Sequence, residues 1–245
     1  SVDNSNGTWQ YTLDGTNWFA IGSVSTASAR LLASDATTSF RFVPNADWNG
    51  STGLINYKAW DQTSGTTGGL VDVTVAGGTT AFSQFGNGSS LSITAVNDAP
   101  TALSTTTTLT AVIEDTTNPS GATIDSLFGS TFGDVKDQVT GGSTANNFAG
   151  VAIFANAANA STEGVWQWYN NTSWVNISNS VSTSSALTLA PSTLVRFLSN
   201  ANYNGTPGLL TVRLIDDSIG AVTSGSTANI GTGGGTSQYS GASDA

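Results

Sequence analysis

The sequence predicts an all-β protein built from tandem antiparallel β-sandwich repeats. The main observation is a strand-and-turn stretch that occurs twice, at residues 39–50 and 194–205. Arg41 aligns with Arg196 at a spacing of 155 residues (196 − 41 = 155), and the aromatic and glycine positions of the turn align at the same spacing. Apolar and polar residues alternate around both copies, which is typical of half-buried strands. No long stretch has a convincing helical period, so we expect almost no helix.

The first predicted element is a hairpin at residues 7–21, and it also recurs. Trp9 and Tyr11 alternate with polar residues, and an Asp-Gly pair at residues 14–15 marks the turn. Residues 164–177 repeat the pattern, with an Asn-Asn pair at the turn. The similarity therefore extends well beyond a single motif.

Further strands are predicted on either side of a domain boundary. Residues 54–61 and 209–216 are matched strands, and the tripeptides at residues 83–85 and 237–239 also match. Unmatched strands are residues 91–96, 109–115 and 150–154. Residues 124–132 are the one place where a short helical turn is expected. Pro100 cannot continue a strand ladder, so we place the boundary beside it. Residues 1–98 are then the C-terminal part of a first sandwich repeat, and residues 99–245 are a second repeat that lacks its last strand.

The two predicted repeats do not contain the same set of segments. The first has no counterpart of residues 101–160, and the second stops before a counterpart of residues 91–96. Either the sequence is a segment of a longer array, or neighbouring copies complete each other's sheets. An incomplete sandwich exposes strand edges, and such edges invite another strand.

Composition narrows the class of function. The formal net charge is −10 with only six Lys and Arg residues, which argues against nucleic acid and against anionic membrane as partners. The absence of Cys and His excludes disulfides, zinc sites built on those residues and any His-based catalytic triad. No apolar run approaches the length of a membrane span, and the first four residues do not read as a signal peptide. A Cys-free, acidic chain rich in Ser, Thr and Gly fits a secreted or cell-surface bacterial protein.

The predicted boundary carries a family resemblance. Asn97-Asp98-Ala99-Pro100 after a strand, followed by Glu114-Asp115-Thr116, resembles the junctions of cadherin-like tandem repeats in large bacterial surface proteins and adhesins. The hairpin at residues 7–21 and the strand-turn at residues 39–50 are also similar to that class. The resemblance implies Ig-like or cadherin-like sandwiches strung end to end, often with calcium at the junctions. The longer acidic linker of eukaryotic cadherins is here reduced to Asn97-Asp98.

Calcium is the cofactor that these acids could bind, because it takes six to eight oxygen ligands. Asn97 and Asp98 come from the boundary, and Glu114 and Asp115 come from the start of the next unit. The full candidate set is Asp61, Asn97, Asp98, Glu114, Asp115, Asp134, Asp137, Asp216 and Asp217. The alternative is that these residues only form turns and caps, and both interpretations stay open. For Asp14, Asp35, Asp47 and Asp72 the turn interpretation is favoured.

Aromatic and arginine residues have competing interpretations. Seven Trp residues could stack on sugars, as a carbohydrate-binding module requires, but Trp9 and Trp166 recur at matched strand positions, which favours core packing. Trp48, beside a turn, is the best exposed candidate for a surface glycan. Arg41 and Arg196 lie between apolar strand residues, which indicates an ion pair or a solvent-facing position.

The sequence does not favour an enzyme. It has no acylation motif and no phosphate loop, and the Asp216-Asp217 pair faces only Asp61-Gln62 in the other repeat. We expect an extracellular structural or adhesion repeat module whose partners are neighbouring repeats or other copies of the same protein. The alternatives are a subunit of a filament or surface layer assembled by strand exchange, and a carbohydrate-binding module.

Overall fold

The computed structural model describes residues 1–241, and these residues confirm the all-β prediction. They contain nineteen strands, one five-residue α-helix and one 3-10 turn. Every strand pair is antiparallel. No helix among these residues is long and apolar enough to span a bilayer.

The chain divides into two compact units. Unit 1 comprises Ser1–Ala95 together with Val139–Ser143, and unit 2 comprises Val96–Gln138 and the chain from Thr144 onward. Asn49 holds residues 139–143 in unit 1: its amide donates to Ser143 Oγ at 2.8 Å, and Ser143 N–H donates back to Asn49 Oδ1 at 2.7 Å. The dividing point lies a few residues before the predicted one at Pro100.

Unit 1 consists of small sheets. Its strands are β1 (Gly7–Thr12), β2 (Phe19–Ala20), β3 (Ala29–Arg30), β4 (Ser39–Pro44), β5 (Gly50–Ser51), β6 (Ile55–Trp60), β7 (Leu70–Val71), β8 (Phe82–Ser89) and β9 (Ser92–Ile93). The largest sheet has the order β2-β1-β4, and β3 pairs with β7, β5 with β9 and β6 with β8. The core comprises Trp9, Tyr11, Ile21, Phe42 and Ile55, so the alternation around Trp9 does turn its aromatic residues inward.

Unit 2 has two four-stranded sheets. Its elements are β10 (Thr101–Ala102), β11 (Ala122–Thr123), α1 (Ile124–Phe128), the 3-10 turn Gly129–Thr131, β12 (Phe132–Gly133), β13 (Phe148–Asn156), β14 (Gly164–Tyr169), β15 (Trp174–Asn176), β16 (Ala186–Leu189), β17 (Leu194–Ser199), β18 (Leu210–Asp216) and β19 (Ser226–Ala228). The sheet orders are β11-β17-β14-β15 and β18-β13-β16-β19, and β10 pairs with β12. One core cluster draws Val195 from the first sheet and Ile153, Leu189 and Val212 from the second.

The predicted helical turn is confirmed as α1. Thr123 caps it, because its hydroxyl oxygen accepts the otherwise unpaired N–H of Ser126. Ile124 and Phe128, one helical turn apart, are both buried in the core of unit 2. The helix therefore contacts β11 of the first four-stranded sheet and β13 of the second.

One predicted strand is wrong and two are shorter than expected. Residues 109–115 form no strand; Leu109 instead lines a small apolar cavity beside Ile124 and Trp166. Alternation of apolar residues makes a strand only where a partner edge is available, and in the described chain no strand pairs with this segment. The return strand of the first hairpin shrinks to β2, and the predicted strand at residues 91–96 shrinks to β9.

Candidate metal centre

Five of the predicted calcium ligands lie together at one edge of the second sheet of unit 2. Asp216 is the last residue of β18, and β18 pairs with β13 so that Asp216 lies opposite Phe148. The start of β13 therefore brings the preceding Asn146 to the same place. Loops before β10 and after β12 supply the others. We call Asn97, Asp98, Asp134, Asp137, Asn146 and Asp216 the acidic cluster.

Asn146 connects the members of the acidic cluster. Its backbone N–H donates to Asp134 Oδ2 at 2.6 Å. Its side-chain amide donates to Asn97 Oδ1 at 2.6 Å and to Asp137 Oδ2 at 3.1 Å. Sequence reasoning missed Asn146, because one more Asn in an Asn-rich chain gives no distinct signal.

The remaining members are held by backbone and hydroxyl donors. The N–H of Asp98 donates to both carboxylate oxygens of Asp137 at 3.2 Å. Asp216 Oδ1 accepts the N–H of Ser218 at 2.9 Å and also the hydroxyl of Ser218. Asp216 Oδ2 lies 3.4 Å from the amide nitrogen of Asn97. The cluster is therefore a network of oxygen-bearing side chains positioned by three separate segments of unit 2.

The electrostatics of the acidic cluster are unfavourable. Asp134, Asp137 and Asp216 are 6%, 5% and 0% exposed. Burial raises the pKa of Asp134, the neighbouring charges of Asp137, Asp216 and Asp98 raise that pKa further, and the N–H of Asn146 opposes them. Lys136 Nζ, 3.6 Å from Asp98 Oδ1, forms the one salt bridge found in residues 1–241, and Lys136 is largely exposed. The cluster thus concentrates negative charge with one weakly placed cation.

One oxygen in the acidic cluster has no partner. Asp134 Oδ1 is buried and accepts no hydrogen bond. A buried acceptor without a donor is costly, and nearly all such groups in folded proteins are paired with protein, water or an ion. Its chemistry, a hard oxygen among other carboxylate and amide oxygens, matches what calcium takes as ligands.

The acidic cluster is not a ready-made cage. No group of three or more acidic side chains in the described chain already has the geometry to hold a metal ion. Calcium binding here therefore requires carboxylates such as Asp137 to turn away from their present hydrogen-bond donors. Asp134 Oδ1 has no hydrogen-bond donor to give up, so Asp134 is the residue best placed to bind an ion without losing a bond.

Four other predicted ligands lie elsewhere. Asp217 accepts the N–H and the side-chain amide of Asn147 at 2.8 and 3.0 Å, and the side-chain bond is the main reason that its pKa is lowered. Asp115 and Glu114 hold the turn after β17: Asp115 accepts the N–H of Asn202, and Glu114 accepts the amide of Asn204. Asp61, in unit 1, accepts the N–H and hydroxyl of Thr63.

The acids expected to form turns do so. Asp14 accepts the N–H groups of Thr16 and Asn17, and Asp35 and Asp72 make the same local bonds to the residues that follow them. Asp47 has a positive φ of 58°, a conformation typical of tight turns. The turn interpretation is confirmed for these four residues.

The arginine and tryptophan residues form a matched pair of stacks. Arg41 lies over the Trp18 ring at 4.1 Å and donates to Gln10, and Arg196 lies over the Trp174 ring at 3.9 Å and donates to Gln167. Within residues 1–241 neither arginine pairs with a carboxylate, so the ion-pair alternative is wrong. The solvent-facing alternative holds for Arg41, which is exposed, and not for Arg196, which is buried. The guanidinium groups cover the aromatic faces that a sugar would need.

Trp48 also packs inward. It meets the Phe42 ring edge-on at a centroid distance of 5.9 Å, and its indole N–H is buried. Its counterpart Tyr203 also packs against the matched ring, Phe197, in a tilted arrangement at 6.4 Å. The two residues close one end of each hairpin core, which weakens the case for a glycan platform.

Comparisons with known proteins add no family assignment. No protein-family model matches the sequence, and no curated protein or solved structure is significantly similar to it. The acidic cluster and the internal repeat are therefore the features of the molecule that bear on its function.

Proposed function

We propose that this chain is an extracellular structural or adhesion repeat module of a bacterial surface protein, built from tandem Ig-like or cadherin-like β-sandwiches and stiffened by calcium. The supporting observation is that both units contain the same hairpin core. Trp9 packs against Phe42 at 5.2 Å and 60°, and Trp166 packs against Phe197 at 5.3 Å and 65°. A repeated framework of this kind serves spacing and joining, and we assign it no catalytic role.

Calcium at the acidic cluster is the specific part of this proposal. The ion's two positive charges would offset half of the charge of Asp98, Asp134, Asp137 and Asp216 and give Asp134 Oδ1 the partner that it lacks. It would also tie together three segments of unit 2: the start of the unit, the loop between β12 and β13, and the end of β18. In an array this would stiffen the start of each repeat.

The test is thermal unfolding in calcium, in magnesium and in EDTA. Extracellular calcium modules bind with Kd of about 10⁻⁴–10⁻³ M. At 10 mM calcium this corresponds to about 1.4 to 2.7 kcal/mol of added stability. The Tm of unit 2 should therefore rise by about 3 to 8 °C in calcium. Magnesium should do less, since it demands a stricter octahedral geometry.

Two variants make this test specific. Asp134→Asn should abolish the calcium-dependent rise, whereas Asp61→Asn, which alters the matching strand end of unit 1, should leave it intact. An unchanged Tm between calcium and EDTA would remove the calcium part of the proposal. Antibody labelling of intact source cells tests the extracellular part, and labelling only after permeabilisation would contradict it.

A further inference from the structure

The chain contains four Asn-Gly dipeptides, and the structure places them in different surroundings. They begin at Asn6, Asn49, Asn87 and Asn204. An Asn followed by Gly is prone to intramolecular ring closure, because glycine has no Cβ to hinder its own nitrogen and lets the backbone rotate freely. The four sites therefore form an internal comparison in which the dipeptide is constant and only the surroundings change.

Asn87 is the site where the reacting atoms already lie together. The N–H of Gly88 donates to Asn87 Oδ1 at 3.0 Å. Because Oδ1 is bonded to Cγ, this contact holds the Gly88 nitrogen beside the side-chain carbonyl carbon. Both residues are exposed near the end of β8, so water and hydroxide reach them. Gly86 precedes Asn87 and Gly88 follows it, which makes the rotation that ring closure needs easier in this part of the strand.

Asn49 and Asn6 lie in surroundings that oppose the same reaction. Asn49 is 7% exposed, and its side-chain oxygen and nitrogen both bond Ser143, so turning toward the following glycine would break two hydrogen bonds. Gly7, which follows Asn6, is buried at the start of β1, and a Cβ at Gly7 would lie only 2.4 Å from Cζ of the Phe42 ring. Neither site leaves the glycine nitrogen room to approach the side chain.

Asn204 is the nearest competitor of Asn87. It is exposed, as is Gly205, but its side-chain amide donates to Glu114 Oε2 at 3.3 Å. Ring closure at Asn204 requires the side chain to leave Glu114 first, whereas at Asn87 the side chain already contacts the attacking nitrogen. The surroundings therefore rank Asn87 ahead of Asn204, and both ahead of the two enclosed sites.

We propose that the fold selects Asn87 as a site of spontaneous deamidation. The Gly88 nitrogen gives its proton to hydroxide and attacks Asn87 Cγ. A bond forms between these two atoms, the bond from Cγ to the side-chain nitrogen breaks, and that nitrogen takes a proton from water and leaves as ammonia. Water then opens the five-membered succinimide at either carbonyl, which leaves aspartate or isoaspartate at position 87. No electrons are exchanged, and water is the one co-reactant.

The modification changes both charge and strand pairing in unit 1. It adds one negative charge to the formal net charge of −10. Isoaspartate also inserts one carbon atom into the main chain of β8. Beyond that point Gly88 still pairs with β6, and Ser89 pairs with Ile55, a core residue of unit 1. Formation of isoaspartate should therefore loosen the core where β8 ends.

The experiment incubates the whole chain in oxygen-18 water, in mildly alkaline and in mildly acidic buffer, and follows each site by peptide mass spectrometry. Asn87 should gain the heavy oxygen at least tenfold faster than Asn49 and ahead of Asn204, and faster in the alkaline buffer. In guanidinium, where the fold no longer distinguishes the sites, the four rates should converge. Asn87→Gln, which would need a larger ring, should remove the signal at position 87 and leave the rate at Asn204 unchanged.

A second variant isolates the effect of the extra main-chain carbon. Asn87→Asp carries the new charge without that carbon and should leave amide exchange at Ile55 unchanged, whereas chains with isoaspartate at position 87 should exchange faster there.

Three outcomes would overturn the proposal. The first is equal deamidation of Asn87 and Asn49 in the folded chain, and the second is modification of Asn204 before Asn87. The third is a preference for Asn87 that persists in guanidinium, because the local sequence and not the fold would then select the site. None of the four sites belongs to the acidic cluster, so these outcomes are independent of the calcium response.

Discussion

The two units share a hairpin core and differ in what lies over it. In both, a Trp–Phe pair, a Gln–Arg–Trp stack and an inward Trp or Tyr occupy matched places. Unit 2 adds α1 and β13 over this core, and unit 1 has no such cover in the described chain. Shared local sequence therefore gives both units the same hairpin pairing, β1 with β4 and β14 with β17, whereas the other strand partners and the burial of each side chain depend on segments far away in the chain.

The matched basic residues Lys58 of β6 and Arg213 of β18 also differ in their surroundings. Lys58 Nζ reaches the carbonyls of Ser83 and Gln84, at 3.3 and 3.0 Å. Arg213 reaches the carbonyls of Ser240 and Gly241 on the equivalent neighbouring segment. Arg213 is buried and Lys58 is only half-buried, so each basic side chain reaches carbonyls of a neighbouring segment in different surroundings.

The largest contrast is expected between the two stacked arginines. Arg196→Ala removes bonds to Gln167, Asn118 and Pro119 inside unit 2 and should cost about 3 kcal/mol. Arg41→Ala acts on an exposed side chain and should cost about 0.5 kcal/mol. Hydrogen exchange resolved by unit measures both, because one global transition cannot be assumed for two units. Equal losses of stability would show that Arg41 and Arg196 are held equally in the two units.

The next contrast is between Val195 and Phe40, where truncation of the smaller side chain should lower the free energy of unfolding more. Val195→Ala empties part of a closed core and should cost about 2 kcal/mol, whereas Phe40→Ala removes a larger but half-exposed side chain and should cost about 1 kcal/mol or less. The same exchange measurement decides it. A larger cost at Phe40 would mean that unit 1 has a closed core of its own.

A smaller effect is expected at the acidic cluster, and it has the opposite sign. Without calcium, Asp134→Asn removes a buried charge and replaces the unpaired Oδ1 with a donor, so it should stabilise unit 2 by about 1 kcal/mol. Asp61→Asn should not stabilise unit 1, because Asp61 already bonds Thr63. Destabilisation by Asp134→Asn in EDTA would show that this carboxylate has a partner in solution.

Much of the fold could be predicted from the sequence, because the signals were local. Alternation around Trp9 and the turn pairs at residues 14–15 and 170–171 indicated the hairpins, and the spacing of the repeat indicated two units. Residues 109–115 have the same kind of alternation and form no strand. The difference lies in the available partner edge, which no local pattern encodes.

The site could be predicted only in part. Residue chemistry identified the acids, but it could not show which of them converge. The convergence depends on the β13–β18 register, which places Asp216 beside the start of β13, and on Asn146, which bridges three members. Glu114 and Asp115 look equally suitable in the sequence and instead hold the turn at Asn202 and Asn204.

The most direct test compares amide exchange at Lys58 and Arg213 in the chain alone. The two residues occupy the same position in the repeat. β13 pairs with β18 at Arg213, whereas among residues 1–241 the one strand that pairs with β6 is β8, on the edge away from the Lys58 N–H. We expect the Arg213 amide to exchange only through opening of unit 2 and the Lys58 amide to exchange at least a hundredfold faster. Equal protection at the two amides would contradict it.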